Sequence, residues 1–244
     1  MQEYMIVKMV NEIRRSMPRI GGKKLYKLLQ EDLSKFGYKT GRDKFFDVLR
    51  SNNLLVARRR KYVNTTNSFH RFYKYKNKLK DRLLTGPNQA YVNDITYLRT
   101  RKGFVYLFLQ TDAYSRKITG WHLSDSLAIE GAIWALRMTL SQIKNPRGII
   151  HHSDRGIQYC SREYVEMLEK HQMEISMTEE NHCYENATAE RVNGILKDEF
   201  LLDDTFDEIK IARRAVKEAI ESYNNKRPHW SLNLSTPNEI HQAA

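Results

Sequence analysis

Cysteine is nearly absent from this chain: of 244 residues only Cys160 and Cys183 are cysteines. Two thiols make no disulfide framework, and a reducing cytoplasm suits them. Long apolar runs are missing as well. No stretch approaches the roughly 18 residues of a membrane span, and the opening Met1-Gln-Glu-Tyr-Met-Ile lacks a signal-peptide layout. Neither an internal repeat nor a low-complexity tract is visible. Acidic residues are outnumbered, 29 Asp and Glu against 41 Lys and Arg, which leaves a formal charge of +12. So strong a bias points to nucleic acid as the partner.

What is present divides into four parts. Over residues 1–56 apolar positions recur at three- and four-residue steps, first through Ile6, Met9, Val10 and Ile13. After the break at Pro18 and Gly21-Gly22 they resume through Leu25, Leu28, Leu29 and Leu33, then through Phe45, Phe46 and Leu49. Three short helices with tight joints resemble a helix-turn-helix unit whose Arg42, Lys44 and Arg50 would face DNA. The plainer reading is a small bundle with a solvated polar face. Residues 57–88 form a basic linker. There Arg58, Arg59, Arg60 and Lys61, and later Arg71 to Arg82, are interleaved with Tyr62, Phe69, Phe72, Tyr73 and Tyr75, a mixture suited to phosphates and stacked bases.

From residue 89 to 224 the period changes. Tyr91 to Leu98, Phe104 to Thr111 and Ile118 to Leu123 read as antiparallel strands. Then come a helix from about Ala128, a strand from Gly148 into Asp154, a helix from about Arg162, a strand Glu174 to Met177, and helices from about Ala187 and Phe206. This order predicts an α/β core, a mixed five-stranded sheet with flanking helices. Residues 225–244 are a tail.

Three acidic groups stand out. Asp154 ends a strand, where loops at the carboxyl edge of a sheet leave room for a ligand. Asp94, in Val92-Asn-Asp-Ile-Thr96, lies inside a strand, where a charge is costly unless something pairs with it. Glu190 falls in the first turn of a helix whose Asn186, Glu190, Asn193 and Lys197 share one face. Were these carboxylates to converge, their repulsion would call for cations, and an oxygen-only set suits Mg²⁺ or Mn²⁺. Two such ions about 3.5 to 4 Å apart clamp an in-line phosphoryl displacement. A rival to Asp94 is Asp112, expected to be satisfied by water before a polar turn. A zinc site from His151, His152, Cys160, His182 and Cys183 has no ligand pair at zinc-finger spacing.

The flanks of these acids carry a resemblance. His151-His-Ser-Asp-Arg-Gly-Ile-Gln-Tyr159, Asn186-Ala-Thr-Ala-Glu-Arg-Val-Asn-Gly-Ile-Leu-Lys197 and Tyr223-Asn-Asn-Lys-Arg-Pro-His229 closely resemble insertion-sequence family three transposases, in particular their second-frame (OrfB) product. The resemblance implies a retroviral-integrase-like core of the ribonuclease H fold. It implies a catalytic triad Asp94, Asp154 and Glu190, with thirty-five residues, 155 to 189, between the last two. It further implies two Mg²⁺ or Mn²⁺ ions, a phosphate held by Lys197, with Asn193 beside it on the DNA-facing side, and a first-frame (OrfA) protein fused or associated upstream. An oligomer on DNA and a bacterial, nucleoid-associated setting complete the expectation. Where many relatives have Tyr-Asp-Asn this chain has Tyr184-Glu-Asn186, and Gly194 stands where integrases often have a second basic residue. The alternatives are a ribonuclease H-fold nuclease that cuts without joining, and a non-catalytic DNA-binding regulator.

Overall fold

The computed structural model of the chain describes residues 2–57, 72–179 and 186–243. Three helices come first, α1 (Gln2–Ser16), α2 (Gly22–Lys35) and α3 (Arg42–Ser51). Their apolar stripes close on one another through Ile6, Val10, Leu25, Leu29, Leu33, Phe45 and Leu49. The basic cluster Arg58, Arg59, Arg60 and Lys61 lies outside the described residues, as do Arg71, His182, Cys183 and Glu185.

Strands β1 (Ala90–Thr100), β2 (Gly103–Asp112) and β3 (Ile118–Ser124) form an antiparallel meander. After α4 (Ile129–Leu140) the chain returns as β4 (Ile150–Ser153), then α5 (Ile157–Cys160) and α6 (Arg162–Lys170) lead to β5 (Glu174–Met177). The sheet order is β3-β2-β1-β4-β5, with β4 and β5 parallel to β1. The two parallel joins need crossover helices, which α4 and α6 supply. After α7 (Ala187–Glu199), a short sixth strand, β6 (Thr205–Phe206), pairs with Arg99 and Thr100 at the far end of β1. Helix α8 (Ile209–Asn225), a 3₁₀ turn (Trp230–Leu232) and α9 (Pro237–Gln242) finish the chain.

Strand alternation sorts the core into two layers. Tyr91, Phe108 and Ile175 face α4 and α6. Leu98, Leu107 and Leu109 face the other way, onto Val192, Ile195 and Leu196 of α7 and Val216 and Ile220 of α8. Helices α1 to α3 are built into this second layer, since their apolar residues belong to the same continuous cluster. Burying one such side chain is worth about 1.5–3 kcal/mol, so α7 is firmly seated. Two glycines let α4 come close to the sheet. A Cβ on Gly120 would fall on the Ala135 carbonyl oxygen and the Thr139 hydroxyl, and one on Gly131 would enter the Phe108 ring.

Two local readings shift. Gly148 is not part of the strand: its φ of 76° makes it a left-handed turn, its N–H donates to the Gln172 carbonyl, and β4 starts two residues later. The short helix α5, the strand β6 and the helix α9 have no counterpart in the sequence pattern, each being too short to show a period.

Candidate active site

Parallel pairing of β1 with β4 ends at Asn93 opposite Ser153. The next residues along the chain are Asp94 and, one step past the end of β4, Asp154, whose charge is felt at Asp94. Even-numbered positions of β1 face α7: Ala90 and Val92 pack on Ala189, and Asp94 accepts a 2.6 Å hydrogen bond from the Asn193 amide. Along its edge on that side β1 pairs with β4 up to Asn93 and with β6 only from Arg99, and Asp94 lies in the interval.

Helix α7 brings the third carboxylate. Its N-cap residue Asn186 makes no capping bond with its side chain; the amide instead donates to the Asn93 carbonyl at 3.0 Å, docking the helix start on β1. Glu190 follows in the first turn and is exposed. Electrostatics ties the three together. Burial, the neighbouring Asp154 charge and, more weakly, Glu190 push the Asp94 carboxyl up to about 7, against the pull of the Asn193 and Ile95 N–H hydrogen bonds. Burial and Asp154 also raise Glu190. Among the described residues no group of three or more His, Cys, Asp or Glu side chains is gathered closely enough to hold a metal ion. The oxygen-only donors and the mutual repulsion around Asp94 nevertheless fit a hard divalent cation, which would relieve what burial and like charge impose.

Other expected residues fall in several places. Asn193 is buried and spends its amide on Asp94 instead of presenting it to a DNA surface. The Lys197 ammonium lies 4.3 Å from the centre of the Tyr97 ring, half-buried, and burial lowers its pKa although Asp203 and Asp94 act the other way. Arg42 pairs with Asp43 and Arg50 with Asp47, so the exposed side of α3 carries carboxylates among its cations. Asp112 is fully buried, and it is satisfied by protein, not by water: it accepts from the Asn88, Tyr114 and Ser115 amides and from the Ser115 hydroxyl. That makes it a turn anchor. His151 bonds the Tyr164 hydroxyl, His152 the Ser176 hydroxyl, and Cys160 lies against Met177, so these three do not gather as zinc ligands.

Sequence reasoning missed Arg116, whose guanidinium reaches Thr188 in the first turn of α7 from a left-handed backbone with φ 65°. It also missed the partners of Arg227, which grips Glu199 at the last residue of α7. Only the Tyr223 to His229 motif hinted at either.

The mixed sheet with helices on both faces is that of the integrase class of polynucleotidyl transferases. Two models described as "Integrase core domain" match residues 85–183 and 171–237. The transposase InsF for insertion sequence IS3A of Escherichia coli (strain K12) is 36% identical over 91% of this chain and 76% of its own length. An insertion element IS600 uncharacterized 31 kDa protein of Shigella sonnei is 35% identical over 86% and 78%. The chain belongs to the insertion-sequence family three transposases and is a DNA transposase. Its ribonuclease H-like fold is shared with the HTLV-2 integrase catalytic core, solved in complex with magnesium (TM-score 0.51, 18% identity, 64% of this chain and 98% of that one). A simian T-cell lymphotropic virus intasome structure aligns over 92% of this chain and 75% of its own (TM-score 0.57, 16% identity). No helix among the described residues is long and apolar enough to cross a membrane.

Proposed function

We propose that Asp94, Asp154 and Glu190 are the catalytic triad, that they hold two Mg²⁺ or Mn²⁺ ions, and that the chain cleaves the 3′ ends of its element and joins them to target DNA. The observation that carries this is the placement of Asp94 beside Asp154 on the face toward Glu190, with the Asp94 carboxyl pushed up to about 7 by burial and by that neighbour. Such ions, when bound, supply an activated hydroxyl and stabilise the leaving oxygen. Asp94 and Asp154 would hold them. Asn193 fixes the orientation of Asp94 through its 2.6 Å hydrogen bond. Glu190, exposed at the helix start, would complete the set. No side chain acts as a nucleophile.

Purified chain incubated with labelled element-end DNA and Mg²⁺ should give 3′-cleaved strands and then joined products. Cleavage without joining would reduce the activity to that of a nuclease. Binding alone would leave a regulator.

The domain division proposed is a helical unit over 1–56, a basic linker over 57–88, a catalytic core over 89–224 and a tail over 225–244. A homo-oligomer on DNA, association with a first-frame protein and a place on the nucleoid belong to the same reading, which the excess of cations supports. Because Asp43 and Asp47 neutralise cations on α3, the chain alone should bind element-end and scrambled DNA within about a thousandfold of each other, the lower bound for specific readers. In the same titrations Lys197→Ala should weaken both and lower the salt slope by about one, as for one lost phosphate contact. An unchanged slope would confine Lys197 to its packing on Tyr97.

A further inference from the structure

The motif Tyr223-Asn-Asn-Lys-Arg-Pro-His229 has no place in the chemistry just described, although it is among the most recognisable stretches of the chain. It holds no carboxylate, and most of it is buried: Tyr223, Asn224, Arg227 and His229 are all shielded from water. Its side chains reach outward to the turn leading into β3 and to the end of α7. The Tyr223 hydroxyl donates to the Arg116 carbonyl at 3.1 Å. Asn224 brackets the backbone of Ile118, accepting from its N–H at 3.0 Å and donating to its carbonyl at 2.9 Å. Arg227 grips Glu199 with both arms of its guanidinium, Nε to Oε2 at 2.8 Å and Nη2 to Oε1 at 2.6 Å. The His229 ring stands edge-on to Tyr223, 4.9 Å between centres.

Two of these contacts lead to opposite ends of α7. Arg116, whose carbonyl Tyr223 holds, has a left-handed backbone that a residue other than glycine adopts only when its surroundings enforce it. From there its Nη1 donates to the Thr188 hydroxyl at 3.0 Å, in the first turn of α7 and two residues before Glu190. Glu199 is the last residue of the same helix. It also accepts from Lys24 of α2 at 2.9 Å, and its backbone carbonyl accepts from the Arg19 N–H at 3.0 Å. Burial acts to raise the Glu199 carboxyl, but the Arg227 hydrogen bonds and charge, with Lys24, outweigh it and keep the group ionised.

We infer that this motif is a clamp on the catalytic helix: Tyr223 acts through Arg116 and Thr188 on its start, Arg227 through Glu199 on its end. Together they fix how far along the sheet, and at what rotation, Glu190 meets Asp94 and Asp154. Tyr223, Arg227, Arg116, Thr188 and Glu199 act as positioning residues, through the helix that carries Glu190. Apolar packing seats α7 on the sheet, and hydrogen bonds at both ends add directional restraints on its position along the sheet and its rotation. The inference rests on the assignment of Glu190 as a metal ligand.

The test uses the full chain with Thr188→Val, Tyr223→Phe and Arg227→Lys, beside Glu190→Gln and a packing control, Ile175→Val, on the opposite face of the sheet. Mn²⁺ binding without DNA is read by electron paramagnetic resonance, and end cleavage is followed against Mg²⁺ concentration. Thr188→Val and Tyr223→Phe should each weaken Mn²⁺ binding and raise the Mg²⁺ half-saturation, by up to about tenfold, the lower end for residues that orient metal ligands. The KM for DNA should stay where it is, and Ile175→Val should lower Tm with metal binding intact. Arg227→Lys, which keeps the charge and loses the two-armed grip, should resemble the other two if it folds. Clamp variants that lower Tm but bind metal like the parent would overturn the inference and leave the motif a packing element. If Glu190→Gln itself leaves metal binding and cleavage unchanged, the triad assignment fails and the clamp with it. If Glu190→Gln is impaired and the clamp variants are not, only the clamp fails.

Discussion

Asp154→Asn should abolish end cleavage and strand joining, by on the order of a thousandfold or more, while DNA affinity stays nearly unchanged. The substitution removes a carboxylate charge next to Asp94 and changes little surface, since Asp154 is only partly exposed at the end of β4. Equal activity of variant and parent would refute the assignment. The same variant has a second, independent readout. The Asp94 carboxyl sits at about 7 in the folded chain, against an ordinary value of 3.8, because burial and Asp154 disfavour its charge. A group raised in this way contributes stability that is present below about pH 4 and lost as pH climbs through 7, where the folded state must carry the charge. Metal-free parent should therefore lose about 2 kcal/mol from this site between pH 5 and 8. Asp154→Asn removes the neighbouring charge and should flatten that loss, so its metal-free Tm at pH 8 should exceed that of the parent. Added Mg²⁺ should raise Tm in the parent and have less effect in the variant. Parallel Tm curves against pH would mean that the two aspartates do not sense each other.

The largest effect on stability should come from Gly120→Ala. Alanine is ordinarily easier on a strand than glycine, by about 0.5–1 kcal/mol. At Gly120, however, the added methyl meets the Ala135 carbonyl and the Thr139 hydroxyl of α4, and a backbone carbonyl within a helix cannot rotate away. Relief requires α4 to lift from β2 and β3, which would loosen Leu136, Ala132 and Phe108 together. The expected cost is about 3 kcal/mol or more, measured as a lower urea midpoint or as failure to accumulate folded protein. Gly131→Ala should cost less, because the obstacle there is the Phe108 ring, a side chain that can tilt. Rescue of Gly120→Ala by Thr139→Ala alone would show that the carbonyl is not the obstacle.

Periodicity made most of the core legible. Strands as long as β1 and β2 show their alternation plainly, and helices as long as α7 and α8 show their stripes. The register of β1 against β4 was not legible, yet the placement of Asp94 and Asp154 at equivalent strand positions depends on it. What local pattern cannot carry is a partner far along the chain. Asn193 and Lys197 read as DNA contacts because they share a face with Glu190. Their protein partners were not legible: Asn193 meets Asp94 and Lys197 meets Tyr97, both on β1. Asp112 read as an acid satisfied by water because a polar turn follows it, but the turn folds back and offers its own amides. The grip of Arg227 on Glu199 spans 28 residues of sequence and leaves no trace in any window of helical or strand period.

The N-terminal helices share one apolar cluster with α7 and α8, and Lys24 and Arg19 are tied to the end of the helix that bears Glu190. A helical unit joined only by a flexible tether would sample many distances from the cutting centre, and the effective concentration of whatever it held would fall with the length of that tether. Here the separation is set by interdigitated side chains, which yield by fractions of an ångström. The chain is in that sense a ruler: the distance of helices α1 to α3 from Asp94 and Asp154 is set by packing, and lengthening the 57–88 segment would leave it unchanged.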